Sequence, residues 1–121
     1  MKVEELYFVE NLYEMSNFRS DVTGLPNGVE LWLRTEPKVL PHVKYRIKIK
    51  HIQKGSAIFS IWGEDIVQLS GNWKVSGIYL SKLKKLVSLT KNDLINHIDG
   101  KEDSFALGQA LFSVKNQILL E

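Results

Sequence analysis

Val43-Lys44-Tyr45-Arg46-Ile47-Lys48-Ile49-Lys50-His51-Ile52 alternates apolar and basic residues from Val43 to Lys50. Successive side chains of a β-strand point to opposite faces. A strand here carries Val43, Tyr45, Ile47 and Ile49 on one face. Lys44, Arg46, Lys48 and Lys50 occupy the other. Desolvating four unpaired like charges is too costly for a dry core. The basic face therefore meets water or an anionic partner, while the apolar face meets the core.

The flanking segments extend this strand into a sheet. Val29, Leu31 and Leu33 alternate with Glu30, Trp32 and Arg34, which reads as a preceding strand. Glu36 to Pro41 holds two prolines and reads as a loop. Gln53-Lys54-Gly55 is expected to turn the chain. Ser56 to Trp62 forms a third strand, with Ala57, Phe59 and Ile61 on one side. Gly63-Glu64-Asp65 turns again, and Ile66 to Leu69 is a short fourth strand ending at Ser70-Gly71-Asn72. Short consecutive connections favour an antiparallel meander.

From Leu80 the period becomes helical. Leu80, Leu83, Leu86, Val87, Leu94, Ile95 and Ile98 make an apolar stripe, with Lys82, Lys84, Lys85 and Lys91 around it. The stretch 80–98 is one helix or two kinked pieces, with Thr90 or Asn92 capping the second. Asp99-Gly100 stops it. Ser104 caps a last helix over 104–117, with Phe105, Leu107, Ala110, Leu111 and Val114 inward. At the other end, Leu6, Val9 and Leu12 or Tyr13, among four glutamates, predict a helix over 3–15. Residues 16–28 read as an irregular lead-in. The expected fold is α+β: a single domain over 16–121 with an antiparallel sheet of about four strands. The C-terminal helices pack on one face, and residues 1–15 form an N-terminal helical extension. The basic side is then the open face of the sheet, or is partly covered by the N-terminal helix.

A chain of 121 residues, 44% hydrophobic and 25% charged, has the size and composition of one globular domain. It has no cysteine, which excludes disulfides, thiolate catalysis and cysteine-ligated metal. No apolar run reaches the length of a membrane span, and the N-terminus has acids where a signal peptide has bases. These features lead us to expect a soluble cytoplasmic protein with no membrane contact. The net charge of +2 conceals a separation: residues 37–92 hold eleven Lys or Arg against two acids. Both ends are acidic. Either the middle meets an anionic partner, or the ends fold back onto it.

Chemistry-bearing motifs are sparse. His42, His51 and His97 have no metal-ligand spacing, and no metal or other cofactor is expected. The carboxylate pairs Glu4-Glu5, Glu64-Asp65 and Glu102-Asp103 lie near turns or helix starts, where capping is the expected role. No Gly-x-Ser-x-Gly elbow, phosphate loop or dinucleotide fingerprint occurs. The basic strand is the candidate site. Lys44, Arg46, Lys48 and Lys50 can follow a phosphate backbone or an acidic protein, and Trp32 and Trp62 can stack on exposed bases.

Met15-Ser16-Asn17 followed by Thr23-Gly24-Leu25-Pro26, then His42-x-x-x-Arg46-Ile47-Lys48-Ile49, then Val75-Ser76-Gly77 and Leu80-Ser81, then Leu94-Ile95-x-x-Ile98-Asp99-Gly100 occur in that order. This order resembles a group of small uncharacterised bacterial proteins over about residues 15–115. The chain departs from their pattern at Ile98, in place of tryptophan, and at Leu89-Thr90-Lys91-Asn92. The resemblance implies a compact α+β fold and marks His42, Arg46 and Lys48 as positions to test. It implies no activity, because that group has no established function. Some related families lie beside toxin–antitoxin genes, which favours binding or regulatory readings.

The leading expectation is a non-enzymatic binding protein whose basic strand face engages an anionic partner, protein or nucleic acid. The alternatives are a small enzyme or ligand-binding protein with a pocket near His42, and a homodimer formed through the N-terminal helix.

Overall fold

The computed structural model describes residues 15–34, 42–49 and 52–121. The helix expected over 3–15 lies outside the described residues except for Met15, as do the loop at 35–41, Lys50 and His51. The described elements follow in order: β1 (Met15–Phe18), α1 (Ser20–Thr23), β2 (Val29–Arg34), β3 (His42–Ile49), β4 (Ile52–Ser60) and β5 (Val67–Gly71), then α2 (Gly77–Ile98), α3 (Ser104–Ser113) and α4 (Lys115–Leu119).

The strands form one antiparallel sheet in the order β1-β2-β3-β4-β5. The meander is as expected, but it has five strands where about four were anticipated. The additional strand is β1, inside the segment read as an irregular lead-in. Its four residues are too few to show a period. They pair with β2 from Met15 opposite Arg34 to Phe18 opposite Leu31. The expected turn at Gln53-Lys54-Gly55 is also corrected, because these residues belong to β4. The register shift between Ile47 and Lys48 accommodates them as a bulge. Gly55 is there for space: a Cβ would come within 2.8 Å of the Trp73 Cβ. Trp73 instead lies stacked on Tyr45, with ring centroids 5.2 Å apart.

One face of the sheet is apolar. Phe18, Val29, Leu31, Leu33, Val43, Tyr45, Ala57 and Phe59 are all buried on it. Leu83, Leu86, Val87, Leu94 and Ile98 of α2 join them in one core cluster, as the stripe predicts. A fully buried aliphatic or aromatic side chain stabilises by about 1.5–3 kcal/mol. The helix is broken locally at Thr90, which has φ −124° and ψ 16° and donates its hydroxyl to the Leu86 carbonyl at 2.7 Å. A β-branched hydroxyl residue bonding back one turn competes with the helical ladder.

The last helix differs from expectation in three ways. It ends at Ser113 and restarts at Lys115. Its N-cap is Asp103, which accepts from the Ala106 amide at 2.8 Å, and Ser104 is the first helical residue. Phe105, expected inward, is 73% exposed, while Leu107 and Leu111 are buried. Leu107 and Leu111, an i,i+4 pair, carry its contact with the core. Among the described residues, no helix is long and apolar enough to cross a membrane.

Truncating Leu83, which is fully buried, leaves a cavity between helix and sheet. Leu83→Ala is expected to cost about 2–5 kcal/mol with an unchanged m-value in urea unfolding. Tyr45 gives a pH dependence. Burial, and then the nearby Tyr79, push its phenol well above the ordinary value of about 10. Above pH 10 the unfolded chain releases this proton while the folded chain holds it. The unfolded state then binds fewer protons, so stability falls as pH rises through that range. Denaturation midpoints from pH 8 to 11 should show the decline, and Tyr45→Phe should reduce it.

Candidate functional site

The sheet has a second face, opposite the core helices, and the strand register places its residues. Asn17, Trp32, Lys44, Ile58 and Ser70 form one row across all five strands. Glu30, Arg46 and Ser56 form the adjacent row. Three of the sequence-selected residues, Trp32, Lys44 and Arg46, come together here. The Arg46 guanidinium carbon sits 4.5 Å from the centroid of the Trp32 ring. A cation over an indole face is attracted by the ring quadrupole, by about 0.5–1 kcal/mol at exposed sites and more when desolvated. Both side chains are half-buried, as is Lys44. The Trp32 Nε1 and Arg46 Nε donors are buried with no acceptor among the described residues.

This face is less uniformly basic than the alternation of β3 alone implies. Glu30 is directly opposite Arg46 in register and is only 6% exposed. Its Oε2 accepts from Asn17 Nδ2 at 2.9 Å. A carboxylate of the chain itself thus sits among the cations. His42 is the first residue of β3 and Lys48 lies in the same strand. Their side chains, like Lys50 altogether, lie outside the described residues. Trp62 is 60% exposed beyond the end of β4, off both rows.

Several other bases are engaged within the molecule. Lys82, expected around the stripe, is buried, and its Nζ donates to the Ile118 carbonyl at 2.8 Å and to Leu119 at 3.3 Å. There it satisfies carbonyls at the C-terminal end of α4, where positive charge is favoured. Lys84 pairs with Asp65 at 3.4 Å, and Lys91 donates to the Gly63 carbonyl, so α2 holds the β4–β5 turn. Asp65 and Asp103 have the turn and capping roles expected of them.

A polar cluster that local motifs did not reveal lies beneath β1. Ser16 Oγ is 3.0 Å from His97 Nε2 and 2.5 Å from Ser104 Oγ, and His97 Nδ1 is 2.8 Å from the Glu102 carbonyl oxygen. A carbonyl only accepts, so Nδ1 carries a hydrogen. Nε2 is within hydrogen-bond distance of the Ser16 hydroxyl, which also bonds the Ser104 hydroxyl. Serine beside histidine is also the arrangement of an activated nucleophile. Here Ser16 and His97 are both buried, and the chain of bonds ties β1 to the end of α2 and the start of α3. Ser104 also borders an apolar groove of about 560 Å³ between Phe18, Val22, Phe105 and Phe112. Ser16 and Ser104 are 88 positions apart, and no spacing rule links them. Among the described residues, no group of His, Asp or Glu could hold a metal ion.

Comparison with protein-family models, curated proteins and solved structures returned no match to this chain.

Ser16→Ala removes the hydroxyl bonded to a buried ring nitrogen. It should cost about 1–3 kcal/mol in urea unfolding, because the buried hydrogen bonds to His97 and Ser104 are lost. Nitrogen-15 NMR of the histidine rings should show His97 with its hydrogen on Nδ1 in the wild type.

Proposed function

We propose that this protein is a binding module whose sheet face opposite the core helices engages an anionic partner. The observation that carries this reading is the Arg46 guanidinium held over the Trp32 ring, with Lys44 directly opposite Trp32 in register. A guanidinium fixed on an aromatic plane presents a preoriented fork to a carboxylate or a phosphate. Preorganisation lowers the entropy lost on binding. Lys44 adds a second cation to the same patch. Glu30 and Asn17 set its limit, since a carboxylate next to the cations disfavours a continuous run of phosphates. The supported ligand chemistry is a discrete anionic group, carried by an acidic protein segment or by a nucleic-acid strand.

Fluorescence anisotropy with labelled oligoglutamate, single-stranded DNA and RNA at low and moderate salt tests this reading. Wild type should bind at least one probe with an affinity that falls as salt rises. For a single strand the logarithmic slope is about −0.7 per phosphate contacted. Arg46→Gln with Lys44→Gln should abolish that binding while the circular dichroism spectrum is retained. Equal binding by wild type and variant to every probe would refute the proposal. The choice of probe separates an acidic protein partner from a nucleic acid.

A further inference from the structure

The sheet ends at β5, which among the described residues pairs only with β4. Among the described residues no strand pairs with its outer edge, which an extended strand can join, although the Ser70 carbonyl already accepts from Gln68 Nε2 at 3.3 Å. Edge strands that avoid partners commonly carry lysine or proline. Val67-Gln68-Leu69-Ser70-Gly71 has neither, and holds no charge at all. Val67 is 58% exposed and Leu69 60%, with Trp62 60% exposed in the preceding turn. Leu69 is the extra residue at the register shift, where Ile58 pairs with Ser70 but Phe59 pairs with Gln68. Gln68 turns its amide to the segment that follows, donating to the Trp73 carbonyl at 2.8 Å and accepting from the Val75 amide at 3.3 Å. The strand is thereby braced from the following segment.

Charge at the two ends of β5 identifies the partner strand. Exposed Glu64 precedes it and exposed Lys74 follows it. An antiparallel pair of β5 strands about a two-fold axis near Leu69 brings Glu64 of each copy towards Lys74 of the other, twice. The uncharged centre has no like charges to oppose one another, and Leu69 gains Leu69 of the other copy as an apolar cross-strand neighbour. A C2 contact of this kind is self-complementary and closes at two copies. We infer that β5 is a docking edge for a second copy of this chain, joined antiparallel through β5 into a continuous sheet. The ladder is short and bulged, so the association is concentration-dependent, not obligate. It uses neither Arg46 nor Trp32 and stands independently of the anion-binding reading.

Sedimentation equilibrium of the full chain over a wide concentration range tests the inference. Wild type should pass from monomer to dimer. Leu69→Lys should remain monomeric at every concentration reached. Glu64→Lys and Lys74→Glu should each weaken the dimer several-fold, and the double reversal should restore it. That restoration also shows that the single variants fail through charge and not through misfolding. Because the chain has no cysteine, Leu69→Cys gives a clean second readout. Opposed strand residues lie about 4.5–5.5 Å apart, within disulfide reach. Leu69→Cys should cross-link on mild oxidation much faster than Phe105→Cys on the exposed side of α3. A monomer at all concentrations overturns the proposal. So does a dimer indifferent to Leu69→Lys, or a double reversal no better than either single one.

Discussion

The seam between the apolar face of the sheet and helix α2 is the contact on which the rest of the structure depends. Tyr45, Leu31, Phe59 and Ala57 supply one side, and Leu83, Leu86, Leu94 and Ile98 the other. Because strand side chains alternate, burying this face commits every intervening residue to the opposite face. Trp32, Lys44, Arg46 and Glu30 are grouped by that commitment. A one-residue slip of β3 would put Lys44 and Arg46 into the seam and Tyr45 outside. The candidate site is thus a geometric consequence of the core.

Polar contacts at the edges of the seam fix its orientation. The Tyr45 hydroxyl donates to the Tyr79 carbonyl at 3.1 Å near the start of α2. At the other end, His97 joins α2 to β1 through Ser16 and to the α2–α3 connection through Glu102. Lys82 ties α2 to the end of α4. Each is a buried or half-buried group whose unpaired form would be costly, so each penalises alternative placements of the helices. The same logic applies to Glu30, whose burial is supported by Asn17 on the adjacent strand.

Charge separation along the chain is resolved unevenly. Lys82, Lys84 and Lys91 all reach acceptors inside the molecule, on elements distant in sequence. Lys44 and Arg46 lie on the face of the sheet opposite the core helices. Their neighbour Glu30 places a buried carboxylate beside them.

Alternation in β2, β3 and β4, and the stripe of α2, were legible in the sequence because period 2 and period 3.6 are properties of neighbouring residues. They determined the α+β class, the antiparallel meander, the apolar core positions of β2, β3, β4 and α2, and the grouping of Lys44 and Arg46. The four residues of β1 hold too little of a period to be seen, and only pairing with Leu31 to Arg34 makes them a strand. The Gln53–Gly55 segment carries turn-forming residues, yet bulged pairing with β3 draws it into β4. The burial of Glu30 and Lys82, the Arg46–Trp32 stack and the Ser16–His97–Ser104 cluster were decided by tertiary structure alone. Each brings together groups from separate elements, and local spacing holds no record of which elements meet.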